Sequence, residues 1–256
     1  MNRLSALAVA GIVSGLLAGC ASTPPSEDIG QSAWAGHTRL MPAPAPSPSA
    51  RWHHHTFPGK KASAYRSAHK AGRSALAAQA DGSASMLRQR LDLPPESLGA
   101  LRFSWYVPAL IDAAVLGTRE ADDSPVRIVL AFEGDRSRLS ARDAMLSELS
   151  QTLTGEPMPY ATLMYVWCKD CAQGEVIGHV RTGRIRKIAV ESGSARLNRW
   201  LDYERDVRAD YERAFGEPPG RLGGIGLMTD ADNTRSTAQA WYGPLTLLPP
   251  AVARNP

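Results

Sequence analysis

Between Asp28 and Asp81 this 256-residue chain has no acidic residue, and elsewhere it lacks most of the short motifs that mark common enzyme classes. There is no Gly-x-Ser-x-Gly elbow, phosphate-binding loop or dinucleotide fingerprint, which argues against the common serine hydrolases, P-loop enzymes and nucleotide oxidoreductases. Internal repeats are absent, which argues against solenoids and propellers. The histidines of His53-His54-His55 have no nearby cysteine or carboxylate, and the helical zinc motif with its glutamate is missing, so they are expected to be rim residues beside inward-packing Trp52 and Phe57. A formal net charge of +4 is too small and too dispersed to indicate nucleic acid.

Only one apolar run is long enough to attract notice, and it is too short to span a bilayer. Leu4 to Leu17 is uncharged, follows Arg3, and ends in Leu17-Ala18-Gly19-Cys20. A membrane-spanning helix takes roughly 20 apolar residues. A positive start, an apolar stretch and small residues before a cut describe a signal peptide. Leu-Ala-Gly-Cys resembles the lipobox of bacterial lipoproteins, in which the cysteine thiol accepts diacylglycerol. Residues 1–19 are therefore expected to be removed, and Cys20 to anchor the mature chain to a membrane through acyl chains. Ala21 stands where an aspartate would retain a Gram-negative lipoprotein in the inner membrane. By that sorting rule, the expected place is the outer membrane, facing the periplasm.

Three cysteines less Cys20 leave Cys168 and Cys171. In an oxidising compartment the simplest reading is a disulfide across a tight turn. A redox Cys-x-x-Cys normally opens a helix, whereas this one follows the strand-like Leu163–Trp167. Zinc would need two further ligands at matching spacing, and no second Cys-x-x-Cys exists.

Residues 20–50 form a polar, Pro-rich segment expected to be a tether, on the order of 90 Å if fully extended at ~3.1 Å per residue. Residues 51–256 suit a single domain. Short apolar or alternating runs broken by Gly, Pro, Asp and Asn predict strands over 74–80, 84–91, 100–107, 126–132, 161–167, 175–181, 185–191, 222–229 and 239–248. Two helices interrupt them. One spans 140–154, with Ser140 as cap, Met145, Leu149 and Leu153 on its apolar face and Gly155 as stop. The other spans 196–215, with Trp200, Tyr203, Val207, Tyr211 and Ala214 at helical spacing. The expected fold is mostly β, a jelly-roll-like β-sandwich with two inserted helices.

Two acidic loops carry the candidate binding residues. Asp122 and Asp123 precede the apolar strand at Val126, and Asp230, Asp232 and Asn233 follow the strand over 222–229. Such oxygens bind sugar hydroxyls, take calcium, or cap turns. No cofactor or metal is expected, calcium being the alternative that the loops allow. Trp105 and Trp167 are the candidate stacking aromatics, although strand aromatics usually belong to cores. No catalytic residue is assigned. A hydrolase reading would pair Asp123 with Asp230 or Asp232 across about 5–9 Å. The Lys- and Arg-rich stretch 51–73 offers a basic face to lipid headgroups, or simply a solvated edge.

Taken in order, Trp52…Phe57, Asp81-Gly82…Ala84-Ser85, Phe103-Ser104-Trp105, Asp122 to Arg127, Tyr160…Leu163 to Trp167, Arg205-Asp206…Asp210-Tyr211…Phe215-Gly216 and Met228 to Thr234 resemble an uncharacterised bacterial family, the domain of unknown function numbered 3047. The resemblance covers 51–248. It departs at Pro244, where an aspartate often stands, and at the added Cys168/Cys171 insert. The family's strand order is similar to that of jelly-roll carbohydrate-binding modules. The resulting expectation is an envelope-accessory binding module with a glycan or other envelope component as partner. A carbohydrate-active hydrolase and a structural lipoprotein with a protein partner are the alternatives.

Overall fold

The computed structural model of the chain describes residues 28–40 and 51–250. The segment expected to be a signal peptide, Cys20 and the proline run lie outside the described residues. Two seven-stranded sheets form a β-sandwich. The first sheet runs β1 (Arg39–Leu40), β14 (Thr246–Leu247), β6 (Ala100–Tyr106), β13 (Thr237–Tyr242), β4 (Arg73–Asp81) and β3 (Ala64–Lys70), with β11 (Trp200–Asp206) also paired to β6. The second runs β2 (His53–Thr56), β5 (Ser85–Leu93), β12 (Leu222–Asp230), β7 (Ser124–Phe132), β8 (Ala161–Cys168), β10 (Thr182–Ser192) and β9 (Val176–His179). Pairing is antiparallel except at β1–β14 and β8–β10.

Strand periodicity decides what each sheet buries. In β7, Val126, Ile128, Leu130 and Phe132 enter the core, while Arg127, Val129 and Ala131 take the outer face. In β8, Leu163, Tyr165 and Trp167 point in, and Thr162 and Met164 point out. From the first sheet come Leu101, Phe103 and Trp105 of β6. Trp105 and Trp167 are 0% and 1% exposed with ring centroids 6.4 Å apart. The expectation that they stack on a ligand is therefore corrected: both fill the space between the sheets.

The mostly-β expectation holds, and each predicted strand is present, the last one split into β13 and β14. The helices need revision. Helix α2 (Ala141–Thr154) has the expected Ser140 cap, accepting from the Asp143 amide, and Gly155 in the left-handed conformation at its end. Its apolar face is turned outward, however. Met145, Leu149 and Leu153 are more than half exposed, and the buried member is Ser147, bonded by Arg136. The second helix, expected over 196–215, is half strand. β11 pairs with β6 along its length, and only α3 (Val207–Phe215) is helical, capped by Asp206. Leu201-Asp202-Tyr203-Glu204-Arg205-Asp206 alternates with period two, and that alternation outweighs the three- and four-residue spacing of the aromatics.

The tether, drawn over 20–50, is too long. Helix α1 (Ala33–His37) places Trp34, fully buried, 5.1 Å from Trp52, and β1 adds to the first sheet beside β14. A buried indole in a polar, Pro-rich segment is a strong docking signal that composition averages away. Among the described residues no helix is long and apolar enough to cross a membrane. Cys168 and Cys171 are joined as a disulfide with Cα atoms 5.7 Å apart, closing the turn between β8 and the loop before β9.

Candidate functional site

The outer face of the second sheet carries a groove. Its polar end forms where the loop before β7 meets the loop after β12, and the five loop residues named from sequence converge there. Asp123, 1% exposed, ties the two loops together: its carboxylate accepts from the Asn233 amide at 3.2 Å, the Thr234 amide at 2.7 Å and the Thr234 hydroxyl at 2.6 Å. The Asn233 side chain donates to the Asp122 carbonyl at 3.2 Å.

Around these loops stand residues that sequence reasoning passed over. Arg127 donates to both oxygens of Asp230, Nε to Oδ1 at 2.7 Å and Nη2 to Oδ2 at 2.9 Å, and also to the Asp122 carbonyl at 2.6 Å. Lys187 of β10 reaches Asp122 Oδ2 at 2.7 Å, and Lys60 pairs with Asp232. For Arg127 the signal was available: it is the single charge within an otherwise apolar strand, which makes it a buried charge that requires a partner. Lys187 carried no such signal, since β10 also holds Arg184, Arg186 and Glu191.

Burial works against the charge of Arg127, but Asp230 and Asp122 hold its guanidinium protonated above the usual range. Burial pushes Asp230 up to about 6, with Asp123 adding to it, although Arg127 pulls the other way. The two do not move as a simple ion pair would; desolvation of the carboxylate outweighs its partner. Asp122 is also raised by burial, but Arg127 and Lys187 outweigh that and leave it below the ordinary carboxylate value. Lys187 is lowered, by burial first and by Arg127 second. The His179 imidazole beside it is lowered by burial and by Lys187.

Asp123, Asp230 and Asp232 bring one ligand atom each to within 4.8 Å of one another, a disposition that could hold a cation. Each carboxylate is already committed, to loop amides, to Arg127 and to Lys60. The same commitments bear on the paired-aspartate hydrolase: Asp123 and Asp230 are close, but both serve to fix the loops.

The polar end is a cavity of about 230 Å³. It continues into a larger one of about 460 Å³, the two sharing Phe57, Met164, Ile185 and Met228 as walls. The larger half is apolar. Gly224 and Gly226 of β12 leave the sheet bare where side chains would stand, and Met86, Met158, Met164 and Met228 surround the gap. A Cβ on Gly226 would lie 2.3 Å from the Met86 sulfur, so the missing side chain is what lets Met86 lie across the strand. The C-terminal half of α2 and the loop after it wall one side, where Glu156 pairs with Arg88 and Arg90.

The remaining exterior aromatics lie on the opposite face of the sandwich. Tyr106, Trp200 and Trp241 cluster on the first sheet, and the Lys70 ammonium sits 4.5 Å from the Tyr106 ring centroid and 4.1 Å from that of Trp241. A sugar stacking there would have to displace Lys70.

Fold and groove define the class: a two-sheet β-sandwich with a polar-to-apolar cleft on one outer face. The chain belongs to the family described as Protein of unknown function (DUF3047), whose model matches residues 50–246. No curated protein matches it. Among solved structures it is similar to the family 11 carbohydrate-binding module of the cellulosomal cellulase Lic26A-Cel5E of Clostridium thermocellum, at 11% identity and TM-score 0.38, covering 80% of this chain and 91% of that one. A second is the family 11 module from Clostridium thermocellum in complex with a β-1,3-1,4-mixed-linked tetrasaccharide, at 12% identity, TM-score 0.35 and coverage of 78% and 89%.

Proposed function

We propose that this domain is a periplasm-facing binding module of the cell envelope, held by a lipid on Cys20, that takes a glycan-bearing ligand in the groove of the second sheet. The supporting observation is the convergence of Asp122, Asp230, Asp232 and Asn233, from two loops more than a hundred residues apart, with Arg127 and Lys187 at one end of a continuous cleft. Concave sites of roughly 300–1,000 Å³ with a few convergent polar groups are the usual form of small-ligand sites. Fixed carboxylates, an amide and cations suit hydroxyl groups, which both donate and accept. With residues 28–40 folded onto the body, only residues 21–27 separate Cys20 from it. That holds the domain within roughly 30 Å of the lipid at full extension.

Titration calorimetry of peptidoglycan and lipopolysaccharide fragments against the wild type and Asp122→Asn tests the reading. Binding that weakens in the variant supports it, and silence across the panel overturns it. Binding through the Asn233 amide and the groove cations is favoured over hydrolysis, because Asp123 and Asp230 have their oxygens occupied by protein donors.

A further inference from the structure

The apolar half of the groove is built differently from its polar end, and neither half is explained by hydroxyl recognition alone. Sugar rings are usually met by aromatic faces. Here methionines and one phenylalanine, Phe57, stand over a glycine floor, with no tryptophan or tyrosine among the lining residues. The described residues contain five methionines, and four of them, Met86, Met158, Met164 and Met228, line this one cavity. Unbranched, polarisable thioethers conform to flexible alkyl chains.

The polar end has a surplus of positive charge. Its three lining carboxylates are each paired, Asp122 with Lys187, Asp230 with Arg127 and Asp232 with Lys60. Arg119 and Arg181 line the same end, both exposed, and neither makes an ion pair among the described residues.

We propose that the ligand is an acylated anion: a single acyl chain lies in the methionine–glycine trough, and a carboxylate or phosphate meets Arg119 and Arg181. This rests on the reading that the groove is the binding site, and it names the chemistry of the occupant. The anionic group can belong to a free fatty acid or to the head of an acylated glycan; the chemistry at the two arginines is the same.

The test uses the full chain as Cys20→Ala, so that the protein's own lipid cannot compete, with 11-(dansylamino)undecanoic acid as a fluorescent probe. Saturable binding with blue-shifted emission is expected, together with displacement by laurate and by dodecyl phosphate. Arg119→Glu with Arg181→Glu, both on exposed side chains, is expected to weaken laurate roughly tenfold, through loss of two partly exposed charge contacts. Displacement by neutral dodecyl maltoside should be unchanged in that variant. Gly226→Leu, which fills the trough, is expected to abolish displacement by all acyl probes while leaving the circular dichroism spectrum unchanged. Maltose is the unacylated comparison for dodecyl maltoside. Lipopolysaccharide saccharides that bind equally well with and without their acyl chains would overturn the inference and leave the groove reading intact. Laurate binding with every glycan silent would support the inference and remove the glycan. Absence of binding by any probe would overturn both.

Discussion

Arg127 and Asp230 face each other across neighbouring strands with two charge-assisted hydrogen bonds of 2.7 and 2.9 Å, their side chains only 3% and 4% exposed. Both lie at the floor of the groove's polar end. Their pairing links β7 to the end of β12 and fixes the loops that carry the remaining polar residues.

Removal of one partner leaves a buried charge without compensation. Arg127→Met should destabilise the fold by about 3–5 kcal/mol, whereas Arg127→Met with Asp230→Leu should cost far less. Urea denaturation of the two single variants and the double variant checks this. Equal losses in Arg127→Met and the double variant would mean that the pair is not coupled.

The fold was legible in the sequence where one side of a strand is uniformly apolar. Val126, Ile128, Leu130 and Phe132 mark β7, and Leu163, Tyr165 and Trp167 mark β8. Legibility failed where two periods coexist, as between 200 and 215, and where one large side chain docks an otherwise polar segment, as Trp34 does. The acidic loops could be read because their residue types have few other uses. Lys187 could not, since its pairing with Asp122 depends on β10 lying parallel to β8, a nonlocal fact. The trough was hidden for another reason: Gly224 and Gly226 act through side chains they do not have.

Trp34 marks residues 28–40 as part of the folded body. Trp34→Ala should lower stability by about 3–5 kcal/mol, as expected for a large aromatic removed from a core. Thermal denaturation followed by near-ultraviolet circular dichroism, which reports on the Trp34–Trp52 pair at 5.1 Å, measures it. A tether residue would show no change.

The outward face of α2 makes the opposite prediction. Met145→Lys and Leu149→Lys should each alter stability by no more than about 0.5 kcal/mol, because exposed side chains carry little packing. Chemical denaturation separates this from a core-facing helix, where such changes would cost several times more.

Glu156 gives a pH signature. Hydrogen bonds from Arg88, opposed by partial burial and aided by Arg90, lower its carboxyl from the usual 4.5 to about 2. A depressed carboxylate contributes stability that is present above the unfolded value and lost as pH falls through the folded one. The stability difference between wild type and Glu156→Gln should therefore be constant above about pH 5 and shrink between 4.5 and about 2. Denaturation midpoints across that range would show it, and a pH-independent difference would contradict it.

The central claim is that the outer groove of the second sheet is where this domain meets its ligand. The most direct measurement is calorimetric titration of lipopolysaccharide and peptidoglycan fragments into the wild type and into Gly226→Leu, with folding of both verified. The predicted result is saturable binding to the wild type that the substitution abolishes. Undiminished binding to a folded Gly226→Leu chain would contradict it.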